Sequence, residues 1–277
     1  MTATFFLSAF GDEIDDDLIK QLEVLASEGI TALELRSVWG VNILDLSSDQ
    51  LRQVRERLDE HGFRVSALGS PIGKSALSES SAFEQARLER ALAAAEALNT
   101  RLIRIFSFYV PPEALDAARE EVIERLGALV ARAAQAGVTL LHENERGIYG
   151  ESATRCYDLL ATIDSPALRM AFDPANFVQA GVRPMEEAWP LLKEYVAHVH
   201  IKDALMRDGS VRPAGQGDGD IPGLLAALDS RDYRGYLTLE PHLSISGPAG
   251  GYSGETGMRT AIHALNGLLA HLPQRSV

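Results

Sequence analysis

The feature that most constrains the fold is an alternation. Short apolar stretches give way to amphipathic ones eight times along the 277 residues. Strands are predicted at 5–10, 32–37, 65–69, 102–108, 138–143, 168–173, 196–202 and 236–240. Helices are predicted at 15–28, 48–61, 81–98, from Pro111-Pro112 to Gly137, and at 152–163, 185–194, 221–228 and 256–269. The 48–61 stretch shows why: Leu51, Val54 and Leu58 recur at helical spacing, and Gly62 follows as a stop. No linker or low-complexity tract interrupts the series. Eight strand–helix units predict one (β/α)₈ barrel, an α/β TIM barrel, as a single domain over 1–277; an open doubly wound sheet is the alternative. In a barrel the C-terminal ends of the strands meet at one mouth, so strand-terminal residues become the site candidates.

Composition narrows the partners. An apolar fraction of 46% is enough for a sizeable core. The net charge of −13 argues against nucleic acid and against an anionic membrane surface. Cys156 is the single cysteine, so no internal disulfide can form, and its helical surroundings predict a buried thiol. No run approaches the ~18 apolar residues of a membrane span. The opening MTATFFLSAFGDEIDDD lacks the basic start of a signal peptide. A cytoplasmic protein with a small-molecule substrate is therefore the expectation, with homo-oligomerisation left open.

Four consecutive predicted strands end in side chains that bind metals. They supply Glu143, Asp173, His200 and Glu240. Each has an ordinary structural reading alone: a solvated strand-end Glu, an Asp capping a helix before Pro174, a core His. Together they form a set of mostly hard oxygen donors for one divalent ion. Such a set favours Mn²⁺ or Mg²⁺ and admits Co²⁺ or Zn²⁺ through the imidazole.

Strand parity adds inward-facing neighbours. His198 and Lys202 share a face with His200, and His242 shares one with Glu240. Lys202 suits a substrate oxygen, or a salt bridge to Asp203 or a site carboxylate. Leu33 and Leu35 belong toward the helices, which turns Glu34 and Arg36 inward. Arg104 lies on a face with Phe106 and Phe108, as an ion-pair partner of Glu34 or a substrate contact. Beyond the fifth strand, Glu145 and Arg146 are expected to shape the pocket, while His142 faces away from it.

Two glycine-rich stretches need weighing. GSPIGKS at 69–75 is one residue short between its glycines for a phosphate-binding loop, and Pro71 removes a donor. It predicts a loop at the mouth that brings Ser70 and Lys74 near a polar ligand. Lys202, Arg36 and Lys74 would suit a phosphate or carboxylate group. GQGDGD at 215–220 lacks the spacing of a calcium loop and predicts a mobile loop leading Asp220 to the following helix.

HENERGIYG, FDPANF, HVHIKD, GDGDIP and LEPH, in this order, resemble the xylose isomerase-like TIM-barrel family. That family includes ketose 3-epimerases, hydroxypyruvate isomerases and inosose-processing enzymes, with endonuclease IV more distant. The resemblance implies that Glu143, Asp173, His200 and Glu240 hold one divalent metal and that Glu143 and Glu240 act as the acid/base pair. The implied function is isomerisation or epimerisation of a sugar, sugar phosphate or hydroxy-ketone through a metal-stabilised cis-enediolate. The chain departs from the ketose 3-epimerases at Asn176, where they carry a substrate-contacting His. It departs again after the metal His, where Lys202 stands in for an Arg that Arg207 does not match. A lyase dehydrating an inosose-type cyclic ketone is the alternative. Further off stand an endonuclease IV-like nuclease, which would need more histidines, and a non-catalytic sugar-binding protein.

Overall fold

The computed structural model describes residues 3–243 and 253–272. Its strands are β1 (Thr4–Phe10), β2 (Ala32–Leu35), β3 (Arg64–Gly69), β4 (Leu102–Ile105), β5 (Thr139–Glu143), β6 (Leu168–Phe172), β7 (Val196–Ile201) and β8 (Arg234–Leu239). Each pairs in parallel with its sequence neighbours, and β1 pairs with β8 to close the barrel. The predicted TIM barrel is the observed fold.

The helices follow local signals. In α1 (Leu18–Ser27), Asp17 caps the first turn. In α2 (Ser48–Glu60), Ser47 and Gln50 form a reciprocal capping box, and Leu51, Val54 and Leu58 are buried as their spacing predicts. The ring continues with α3 (Ser81–Ala97), α4 (Leu115–Gln135) and α5 (Ala153–Ile163). Cys156 is buried on α5, and burial pushes its thiol pKa up, so it is a packing residue.

The structure departs from the expected elements at three places. The fourth strand stops at Ile105 because the next residues bind the β3 loop instead. Phe106 N donates to Ile72 O at 2.8 Å, and Phe108 N donates to Gly73 O at 2.8 Å. The helix expected at 185–194 is broken into a π-helical turn at Pro184–Ala188 and α7 (Trp189–Leu192), and an unexpected short helix, α6 (Pro174–Gln179), precedes them. Prolines 174, 184 and 190 lie at the starts of these pieces, where a missing N–H costs little. The pairing of the second strand with the third shifts between Leu33 and Glu34, with Ser66 of the third strand left unmatched, and Arg36 lies beyond the second strand's end. The chain closes with α8 (Ile221–Ser230) and α9 (Gly254–Ala270). Residues 244–252, between β8 and α9, lie outside the described residues.

The main apolar core lies between barrel and helices, where Leu33 and Leu35 pack with Leu18 and Leu22. The barrel interior is more polar. Ala67, Leu141 and Ala171 form a small apolar plug. Around it Ser8 bonds Ser66 at 2.7 Å, and Glu34, Arg104, His198 and Thr238 are all buried. Buried polar groups at such density need partners, and those partners build the site. No helix among the described residues is long and apolar enough to cross a membrane.

Candidate metal centre

The barrel brings the four strand-end residues together. Glu143 ends β5, Asp173 follows β6 as the cap of α6, His200 lies one residue before the end of β7, and Glu240 follows β8. One ligand atom from each lies within 4.8 Å of the others. His200 Nδ1 is 3.2 Å from Glu143 Oε1, 3.9 Å from Asp173 Oδ2 and 3.9 Å from Glu240 Oε2.

Two of these atoms have no hydrogen bond, although Lys202 Nζ stands 3.1 Å from one and Glu143 Oε1 3.2 Å from the other. Asp173 Oδ1 accepts the Asn176 backbone N–H at 2.8 Å, which turns Oδ2 to the centre without a hydrogen bond. His200 Nε2 lies 3.1 Å from Glu34 Oε2, which directs an N–H there. Burial is outweighed by the carboxylates on both sides, which raise the imidazole's pKa well above its ordinary value, and Nδ1, also without a hydrogen bond, is the nitrogen that would give up its proton to an ion. Two buried atoms with ligand chemistry and no hydrogen-bond partner thus face one point. With two glutamates beside them, the donor set fits a divalent cation.

Each carboxylate is held by a cation. Arg104 Nη1 donates to Glu143 Oε2 at 2.7 Å. Arg36 Nη1 donates to Glu240 Oε1 at 2.8 Å. Lys202 Nζ is 3.1 Å from Asp173 Oδ2 and 3.2 Å from Glu240 Oε2. Burial alone would raise the pKa of Glu143, but His200 and Arg104 outweigh it and bring it down to about 2. Burial is likewise overcome at Glu240, chiefly by Lys202 and His242, and its pKa falls well below the usual carboxylate range. Burial prevails at Asp173, helped by the negative charge of Glu143, and raises its pKa to about 6.

The other predicted residues divide into those at the cavity and those behind it. A cavity of about 180 Å³ opens beside the cluster, with Arg36, Lys74, Glu145, Lys202 and His242 in its wall. His242 has φ 46°, a costly conformation for a non-glycine residue, and its Nε2 is 3.2 Å from Glu240 Oε1. Lys74 pairs with Glu145 at 2.9 Å. Asn176, expected at the substrate, is instead buried behind Glu143. Its Nδ2 donates to Glu143 Oε1 at 3.0 Å and to Asn144 O at 2.9 Å. Ser70, expected near the ligand, is buried and donates to Arg104 O at 2.5 Å. Glu34 does not pair with Arg104; its Oε2 accepts from His198 at 2.7 Å and from His200, one layer below the mouth. His142 faces away as expected, 3.0 Å from Ser107 Oγ, and burial lowers its pKa to about 4.

Two functional neighbours escaped the sequence reading. Asp12 and Glu13 follow β1 and are buried against Arg36. Arg36 donates to Asp12 through Nε at 2.7 Å and Nη2 at 3.0 Å, and to Glu13 through Nη2 at 3.1 Å. The signal was present: β1 also ends in acidic residues, the test applied to the last four strands.

Fold and site define a class, a (β/α)₈ barrel whose mouth carries a cluster able to hold a metal ion. The chain belongs to the xylose isomerase-like TIM-barrel family, whose model matches residues 22–269. It is 28% identical over 140 residues to inosose dehydratase of Clostridium perfringens, and that match covers 43% of this chain and 45% of the relative. Among solved structures, a D-tagatose 3-epimerase-like protein superposes with a TM-score of 0.75 at 18% identity, over 98% of this chain and 97% of that one. The IOLI protein with a bound zinc atom superposes with a TM-score of 0.75 at 15% identity, over 99% of this chain and 100% of that one. At such identities these two structures share the fold.

Proposed function

We propose that the protein is a divalent-metal-dependent isomerase or epimerase that moves a proton next to the carbonyl of a polyhydroxylated ketone. The observation that carries this reading is the convergence of Asp173 Oδ2 and His200 Nδ1, both without hydrogen bonds, between Glu143 and Glu240. Glu143, Asp173, His200 and Glu240 would hold the ion. Mn²⁺ or Mg²⁺ suits three carboxylates best, and Zn²⁺, present in the IOLI neighbour, suits the imidazole. When bound, the ion would supply Lewis-acid polarisation of the substrate carbonyl.

The chain's own residues do the rest. Glu143 and Glu240 reach the site from different strands, so one can take a proton from the carbon beside the carbonyl and the other can return one. Return to the neighbouring carbon isomerises; return to the opposite face epimerises. Lys202 places an ammonium where negative charge grows on the substrate oxygen. Arg104 and Arg36 hold the two glutamates ionised and oriented.

A lyase is the second reading, favoured by the stretch shared with inosose dehydratase. It would begin with the same proton removal. The electron pair would then expel a β-hydroxyl, which leaves as water after taking a proton.

The test is exchange from deuterated water. Free ketoses, ketose phosphates and inososes are incubated with the Mn²⁺-loaded protein and followed by proton NMR. Deuterium should enter at the carbon beside the carbonyl, and Glu143→Gln should slow entry at least about 100-fold without loss of the folded circular-dichroism spectrum. Exchange that persists in Glu143→Gln removes Glu143 from the proton path. A dehydrated product selects the lyase.

A further inference from the structure

The cations of the cavity are already committed. Arg36 meets Asp12, Glu13 and Glu240. Arg104 meets Glu143. Lys74 meets Glu145 across the mouth, its Nζ also 4.3 Å above the Phe106 ring. Lys202 meets Asp173 and Glu240. Four cationic side chains in the wall thus face six distinct carboxylates. A divalent ion in the cluster would balance this set and leave no surplus positive charge. His242, 3.2 Å from Glu240 and 3.6 Å from Glu13, lies against the same carboxylates, and Glu34 adds another behind His200.

A phosphate or carboxylate on the substrate would therefore need a cation taken from one of these pairs. Arg104 and Lys202 are nearly inaccessible, and freeing either strands a buried carboxylate. A neutral polyol makes no such demand. Its hydroxyls donate to carboxylate oxygens that line the wall, and Asn42 adds an amide able to donate and accept. The cavity of about 180 Å³ has room for one small sugar or cyclic polyol.

We infer that the substrate is an uncharged polyhydroxy ketone, not a sugar phosphate or a keto acid. The inference rests on the proton-transfer reading above and sharpens its substrate class.

The experiment compares matched pairs with the Mn²⁺-loaded protein: ketohexoses and inososes against their monophosphates, with hydroxypyruvate as the keto acid. Deuterium exchange and ligand-induced thermal stabilisation are both read. The neutral ketones should show kcat/KM for exchange at least about 100-fold above the anions, the penalty expected for breaking a buried pair. Inorganic phosphate in excess should not inhibit. Glu145→Gln, which releases Lys74, should raise the phosphate-to-neutral ratio about tenfold. Equal or faster exchange on the phosphates overturns the inference and leaves proton transfer standing. Absence of exchange on every compound overturns proton transfer, and thermal stabilisation then decides the substrate class. Stabilisation by phosphates and not by neutral ketones, or by none of the panel, overturns the inference; stabilisation by neutral ketones alone supports it.

Discussion

His200 has two ring nitrogens, and the structure gives each a different task. Nε2 faces Glu34 Oε2 at 3.1 Å, and Nδ1 faces the carboxylates of the mouth. A carboxylate behind a metal-binding imidazole fixes its tautomer and raises its basicity. Glu34 also accepts from His198 at 2.7 Å through the same oxygen, so one buried carboxylate orders two imidazoles. Glu34→Gln should weaken Mn²⁺ binding about 10- to 100-fold in a calorimetric titration. Wild-type affinity in that variant would show that Glu34 serves packing alone. Strand parity predicted that Glu34 points inward. It did not predict its partners, because Arg104 and the two histidines all point into the same interior.

At the scale of elements, the loops at the strand ends are tied more tightly than their composition suggests. The stretch 215–220 reads as a mobile glycine-rich loop. In the structure Asp203 accepts the backbone N–H groups of Ala204, Gly215, Gly217 and Gly219, each at 2.9 Å. Glycine is needed there by close approach, since a Cβ on Gly217 would lie 2.3 Å from Asp203 Oδ1. Asp220 then caps α8 as expected, accepting from Gly223 N at 3.1 Å. Asp203→Asn puts an N–H₂ group against backbone donors. Amide exchange at Gly215, Gly217 and Gly219 should accelerate about 10- to 100-fold, the loss expected for hydrogen bonds to a charged group. Unchanged protection would mean that the loop holds itself. The four-way clasp was hidden in the sequence because its donors are backbone amides, three of glycine and one of Ala204, and an amide carries no residue-type signal.

At the scale of the whole molecule, barrel closure gathers side chains from both ends of the chain. Arg36 reaches Glu240 across 204 positions, and His198 reaches Glu34 across 164. The carboxylates around the mouth outnumber the cations that pair with them six to four, so ion binding and folding stability are linked. Mn²⁺ at about 100 times its dissociation constant should add about 2.7 kcal/mol, which raises Tm by about 5 °C for a chain of this size. Asp173→Asn should lose most of that shift in scanning calorimetry. A wild-type Tm indifferent to Mn²⁺, Mg²⁺, Co²⁺ and Zn²⁺ would argue against an ion at the cluster.

The sequence by itself determined the barrel and the positions of the four cluster residues. Both are local properties: periodicity decides strand or helix, and the end of a strand is a place in the chain before it is a place in space. Strand order then carries those ends to one mouth with little further choice. Tertiary structure alone decided which charge meets which. Read from the chain, Arg36, Lys74 and Lys202 were three cations suited to an anionic substrate. Folded, each faces carboxylates from other elements, among them Asp12 and Glu13 of β1's end, which the sequence reading passed over. Ion pairing depends on distances of a few ångströms between side chains tens to hundreds of residues apart, and nothing in the order of the residues encodes those distances directly.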